Sequence, residues 1–369
     1  MKYYIIAGEA SGDLHGSNLI RELKINDPAA IIRCWGGELM QKAGADLVTH
    51  YRDLAFMGFT EVLKNIGTIL SNIKTCKKDI SKFKPDVLIL IDYPGFNLRI
   101  AAWAKLHDLK VVYYISPQVW AWKESRVNMM KKCIDKMIVI LPFEKDFFKI
   151  RWNWDVDYVG HPLVEVVDDW LLKNEQTILS DKPIVAILPG SRKQEIAKKL
   201  PVMLEVSTSF PNHQFIVAKA PGLEDRFYDQ YISSYPNVST VTNETYNLLA
   251  QSKAALVTSG TATLETALFR IPEVVCYKGS PISYQIAKRL IKIKYISLVN
   301  LIMDKMVVKE LIQQHFSIKN LREELQTLLA DDAAINTMKI HYNDLRKKLK
   351  YEGHASANAA KLITDFISY

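Results

Sequence analysis

IVAILPGSRKQEI, residues 184–196, reads as a buried strand, a turn and the start of a helix. The apolar run Ile184 to Leu188 stops at Pro189, Gly190, Ser191 and Arg192, and charged residues then follow at helical spacing. A small, flexible turn with an arginine at a helix start is the arrangement that receives an anion. Backbone N–H groups and the positive end of the helix dipole point at the ligand, and the guanidinium adds a planar fork of donors.

The same pattern extends outward in both directions. Tyr3 to Ala7, Val87 to Ile91, Val111 to Ile115 and Met137 to Leu141 are short, apolar, β-rich runs, with amphipathic stretches such as Phe96 to His107 and Glu124 to Cys133 between them. After residue 183 the alternation resumes with Ile184 to Leu188, Phe215 to Ala218, Ala255 to Thr258 and Val274 to Tyr277. It argues for parallel sheets with helical crossovers. A chain of 369 residues also exceeds one typical domain. The reading is an α/β protein with domains at 1–165 and 183–350, a linker at 166–182, and a final helix at 351–369 expected to pack on the first domain. Two such halves point to a ligand cleft between them, beyond the carboxyl ends of the strands.

Composition excludes several classes. The hydrophobic share of 49% and charged share of 24% are those of a soluble globular protein. No apolar stretch reaches the roughly 18 residues of a membrane helix, and the apolar start is too short for a signal peptide. Cys34, Cys76, Cys133 and Cys276 are scattered, which reads as inert thiols in a reducing cytoplasm. The net charge of +8 favours an acidic partner, a lipid surface or phosphorylated small molecules. No basic stripe interleaves with aromatics, so nucleic acid is not expected.

Further motifs sit at strand ends. Gly8-Glu9-Ala10-Ser11-Gly12-Asp13 resembles a phosphate loop without the Walker lysine, or is a tight turn with Asp13 as a helix cap. Asp92-Tyr93-Pro94-Gly95-Phe96-Asn97 puts a carboxylate at the end of a buried strand. That position is costly unless the acid is paired or functional, as a general base or as the cap of the helix near Phe96. Ser116 to Trp122 carries two tryptophans able to cover a sugar or an acyl chain, or to fill core. Ser259-Gly260-Thr261 opens a second anion-directed helix, with Glu265 a turn further on, in reach of a ribose hydroxyl pair. Two such helix starts suit a diphosphate, so Arg192 is read as facing a nucleotide. No metal-ligand spacing occurs beyond Asp155-Val156-Asp157, and neither metal nor cofactor is expected. Met57, Phe59, Leu63, Ile66 and Leu70, followed by lysines from Lys74, read as a helix touching an anionic membrane or as a core-facing helix. The apolar and basic stretch Ile286 to Ile296 supports the membrane reading.

Taken together the chain resembles the lipid-A-disaccharide synthases over nearly its full length. The motifs above carry the resemblance, together with Leu141-Pro142-Phe143-Glu144, Gly160-His161-Pro162, Ser297-Leu298-Val299-Asn300-Leu301 and Val308-Lys309-Glu310-Leu311. It implies a GT-B architecture of two Rossmann-like domains. It implies inverting, metal-independent transfer of glucosamine from UDP-2,3-diacylglucosamine to the 6-hydroxyl of 2,3-diacylglucosamine 1-phosphate, at the cytoplasmic face of the inner membrane. Asp92 matches the general base, and Gly190, Ser191 and Arg192 the diphosphate turn. Ser259, Gly260, Thr261, Glu265 and Asn300 match the UDP site. Glu9, Ser11, Gly12, Asp13 and Asn97 match the acceptor side. The family alone is compatible with a homodimer. Gly95 stands where a second acid is often found, which argues against a shared-carboxylate scheme, and His15 is given no role. The rival readings are a UDP-sugar epimerase of the same fold and a non-catalytic UDP-sugar or lipid-binding protein.

Overall fold

The computed structural model describes residues 1–54, 66–173, 176–220, 222–280 and 293–368. The chain forms two compact units, Met1–Pro162 with Leu349–Tyr369, and Leu163–Lys348.

The first unit contains strands β1 (Lys2–Ala7), β2 (Ile31–Gly36), β3 (Asp46–His50), β4 (Val87–Ile91), β5 (Lys110–Tyr114), β6 (Lys136–Val139) and β7 (Asp157–Tyr158). They pair in parallel in the order β3-β2-β1-β4-β5-β6-β7. The second contains β8 (Ile184–Leu188), β9 (Gln214–Lys219), β10 (Val238–Thr242), β11 (Ser252–Thr258), β12 (Glu273–Tyr277) and β13 (Lys309–Ile312). Their order is β10-β9-β8-β11-β12-β13, again all parallel. Parallel neighbours need crossover helices, and helices on both faces leave a central strand no solvent side. β4 and β8 accordingly bury every residue.

In each sheet the strand order reverses once, between β1 and β4 and between β8 and β11. At such a switch point the flanking connections leave in opposite directions, which opens a crevice beyond the carboxyl ends of the strands. Register places Ala7 beside Ile91 in the first sheet and Leu188 beside Val257 in the second. The loops that open at Gly8 and Asp92, and at Pro189 and Ser259, therefore emerge side by side.

The strands depart from the apolar-run reading in one respect. β2, β3, β10 and β13 are absent from the apolar-run reading. β3, β10 and β13 are edge strands carrying polar residues, and β2 is interrupted by Arg33. Of the segment expected as a linker at 166–182, residues 166–173 belong to helix Pro162–Lys173, which buries Leu163, Val164 and Val167 and pairs Asp168 with Arg346 of the second unit.

Helix Ala355–Ser368 lies in the first unit against helix Ala10–Asn26. Ala355, Ala359 and Ala360 keep the contact close, and the Lys110 ammonium donates to the carbonyls of Phe366 and Ile367 at the negative end of the helix. Gly8 permits another close approach, since a Cβ there would lie 2.3 Å from Tyr93 ring atoms. Gly8→Ala is expected to destabilise the protein by about 1–3 kcal/mol through overpacking, read as a lowered denaturant midpoint.

Candidate functional site

In the first unit the site is built around the turn after β4. Asp92 and Tyr93 both have left-handed backbone, with φ of 43° and 49°. Consecutive non-glycine residues in this region store strain of about 1–3 kcal/mol each, and the second precedes a proline. Neighbouring groups hold the turn in place. Asn97 Nδ2 donates to the carbonyls of Ile91 at 3.1 Å and Asp92 at 2.8 Å, and the Tyr113 hydroxyl donates to the Asp92 carbonyl at 2.5 Å. The Tyr93 hydroxyl donates to Leu54 O at 3.1 Å, and its ring stacks on Phe96. With the backbone fixed this way, the Asp92 carboxyl is pushed up to about 7, first by burial and then by the charge of Glu9.

The other residues expected here divide by role. Glu9 sits at the start of helix Ala10–Asn26, and Ser11 is exposed in its first turn. Gly12 is buried. Asp13 is buried and caps a different helix from its own: its carboxylate accepts from the backbone amides of Gly37, Leu39 and Met40 at 2.8, 3.1 and 3.0 Å. Asn97 is fully buried and serves the backbone of the turn. The two tryptophans separate. The Trp120 indole donates to Glu144 Oε1 at 3.1 Å, whereas Trp122 is exposed beneath Lys123 and Arg126. Tyr113 and Glu144 are participants that the sequence reading gave no role. Burial drives the Glu144 carboxyl up to about 8, opposed by bonds from Leu141 N and Trp120 and assisted slightly by Asp92. Its signal was the acid on the first turn of the helix after β6, the position that bonds back to the strand end.

In the second unit a cavity of about 290 Å³ opens at the switch point. Gly190, Ser191, Ser259, Gly260, Thr261 and Glu265 line it, with Thr258, Glu195, Lys219 and Thr245 in addition, whereas Arg192, read as facing a nucleotide, is not among its lining residues. Gly190 turns the chain with φ of 110°, a conformation that favours glycine. Arg192 caps helix Lys193–Ser207 by position, and its guanidinium meets Glu195 Oε1 at 3.1 Å. The Ser259 hydroxyl donates to Ile296 O at 2.8 Å. Glu265 accepts from the Tyr246 hydroxyl at 2.9 Å, and burial raises its pKa.

Asn300 does not line this cavity. Its side chain donates to Val308 O and Glu310 Oε1 and accepts from the amides of Val307 and Val308, so it braces the loop before β13. Asp155 and Asp157 pair with Lys149 and Lys136. Among the described residues no three His, Cys, Asp or Glu side chains converge as a metal-ligand set. Of the expected membrane residues, Met57, Phe59 and Leu63 lie outside the described residues, and only the backbone of Ile66 is described. Leu70 is 58% exposed on helix Ile66–Phe83, whose Ile73, Cys76 and Ile80 face the core. Most of Ile286 to Ile296 also lies outside the described residues.

Asn97→Ala is expected to lower stability by about 2 kcal/mol, because buried carbonyls lose their donor while the strained turn loses its clamp. A thermal midpoint unchanged from the parent protein would show that the turn holds without it.

The sequence profile described as Lipid-A-disaccharide synthetase matches residues 3–364. The chain is 38% identical over 370 residues to the lipid-A-disaccharide synthase of Syntrophus aciditrophicus (strain SB), covering 98% of this chain and 96% of that one. It is 37% identical over 371 residues to that of Coxiella burnetii (strain CbuG_Q212), covering 98% of each. Among solved structures, UDP-GlcNAc 2-epimerase from Neisseria meningitidis bound to UDP-GlcNAc superposes with a TM-score of 0.66 at 14% identity, covering 100% of both chains. The calicheamicin glycosyltransferase CalG4 gives 0.62 at 16% identity, covering 100% of this chain and 98% of that one. At such identities the two structures share a fold with this chain, and that fold is GT-B.

Proposed function

The chain belongs to the lipid-A-disaccharide synthetase family and is a glycosyltransferase of lipid A biosynthesis, and from that premise we propose the substrates and the residues that act on them. The donor is UDP-2,3-diacylglucosamine and the acceptor is 2,3-diacylglucosamine 1-phosphate. The acceptor 6-hydroxyl oxygen attacks the anomeric carbon from the face opposite UDP and gives its proton to Asp92. The new C1–O6 bond forms as the bond from C1 to the diphosphate breaks, and UDP leaves with the electron pair. A single displacement through an oxocarbenium-like transition state inverts the anomeric centre, giving the β-1,6 disaccharide 1-phosphate.

The first unit takes the acceptor and the second takes the donor. The turn at Gly190 and Ser191, Arg192, and the helix start at Ser259, Gly260 and Thr261 receive the diphosphate, and Glu265 receives the ribose. Helix N-termini and a guanidinium aimed at the departing charge lower the barrier electrostatically. Both substrates carry acyl chains and phosphates. The net charge of +8 and the exposed Leu70 beside lysines therefore support peripheral contact with an anionic membrane face. Among the described residues, no helix is long and apolar enough to cross a membrane.

The observation that carries the mechanism is Asp92 at the end of β4, its carboxyl raised to about 7 beside Glu9. A base near neutrality accepts a proton more readily than an ordinary carboxylate and is still ionised in part at working pH. In a detergent assay with both lipid substrates and EDTA, Asp92→Asn should lower kcat by about 10²–10⁴-fold while keeping UDP affinity. Full activity in that variant would place the base elsewhere. Because the deprotonated form is active, kcat/KM should rise with pH through about 7 and then level off. Glu9→Gln removes the neighbouring negative charge and should move that inflexion to lower pH. An inflexion that stays in place would remove Glu9 from the acid–base scheme.

A further inference from the structure

Helix Lys193–Ser207 carries a lysine whose environment the scheme above leaves unexplained. The Lys199 side chain is 2% exposed, yet its ammonium makes one ion pair among the described residues, with Glu195 Oε2 at 3.6 Å. That is beyond an ordinary hydrogen bond, and Glu195 is itself 38% exposed and bonded to Arg192 through its other oxygen. Enclosing an ammonium costs several kcal/mol unless its protons are well placed, so one long contact is poor compensation. Burial lowers the Lys199 pKa, and Glu195 partly opposes that effect.

The position of the ammonium supplies the missing partner. A Cβ built on Gly190 would lie 3.6 Å from Lys199 Nζ, 3.4 Å from Glu195 Oε2 and 3.5 Å from Thr258 Cγ2. The ammonium therefore lies within contact reach of the turn that opens the cavity, one layer back from the lining residues Gly190, Glu195 and Thr258, since Lys199 itself does not line it. Thr258 lines the same cavity, and its buried hydroxyl has no hydrogen-bond partner among the described residues.

We propose that Lys199 is a diphosphate-binding residue, a buried cation that meets the anion through the space left open at Gly190. Glu195 holds Arg192 and Lys199 while the anion is away, and Thr258 supplies a further hydroxyl. This rests on the donor reading of the cavity.

Calorimetry with UDP and with uridine, which lacks the phosphates, tests it. Lys199→Met should weaken UDP binding about tenfold, the scale of one charge-assisted contact, and leave uridine unchanged. The loss should persist in Lys199→Met/Glu195→Gln. Should Lys199→Met fail to fold, Lys199→Gln takes the same comparison. UDP affinity within twofold of the parent protein overturns the inference. So does a loss that vanishes in the double variant, because Lys199 would then only neutralise Glu195. A parent protein that binds no UDP overturns the donor reading and the inference with it, whereas one that binds UDP alongside an indifferent Lys199 variant overturns the inference alone.

Discussion

The clamp on the backbone after β4 is the constraint on which the arrangement around Asp92 depends. Left to itself, Asp92-Tyr93-Pro94 would relax out of two successive left-handed conformations. Asn97 reaches back to two carbonyls, Tyr113 to one of them, and Tyr93 anchors its own hydroxyl on Leu54. Gly8 then completes the fit, because only a residue without a Cβ leaves room for the Tyr93 ring. The result is a carboxyl enclosed at the switch point beside Glu9, with its proton affinity raised by both burial and repulsion. Strain, close packing and pKa are thus one arrangement, centred on the carboxyl proposed as the base.

The second unit is organised by a different device. Its cavity is lined by the turn after β8 and the start of helix Thr261–Leu268, both of which offer backbone N–H groups. A glutamate among those lining residues would oppose an anion if it stood alone. Glu195 is neutralised by Arg192 on one oxygen and by Lys199 on the other. The carboxylate thereby holds in place the cations that a phosphate would otherwise have to gather, which keeps the reorganisation on binding small.

How far these arrangements are legible in the sequence differs by element. β4 and β8 were readable because both faces are buried and every residue is apolar. β3, β10 and β13 were not, because an edge strand owes its place to a neighbour and carries polar residues. Gly190, Ser191, Ser259, Gly260, Thr261 and Glu265 were readable as strand-end motifs, and they do line one cavity. Asp13, Asn97 and Asn300 carry the same local signal, a polar residue in a motif, yet each is bonded to backbone of a distant or adjoining loop. Lys199 gave no signal at all, since a lysine seven residues into a helix reads as solvated.

By itself, then, the sequence determined the α/β alternation, the two halves and the strand ends that carry the polar motifs, because those follow from periodicity and from residue types that few local conformations accept. Its motifs, in their order and spacing, also determined the family. The tertiary structure alone decided which polar side chains keep a free face and which are consumed by backbone. It alone raised Asp92 and Glu144 toward neutrality and enclosed an ammonium behind a glycine. Those properties depend on what lies within a few ångströms across the sheet, and separation along the chain carries no record of that distance.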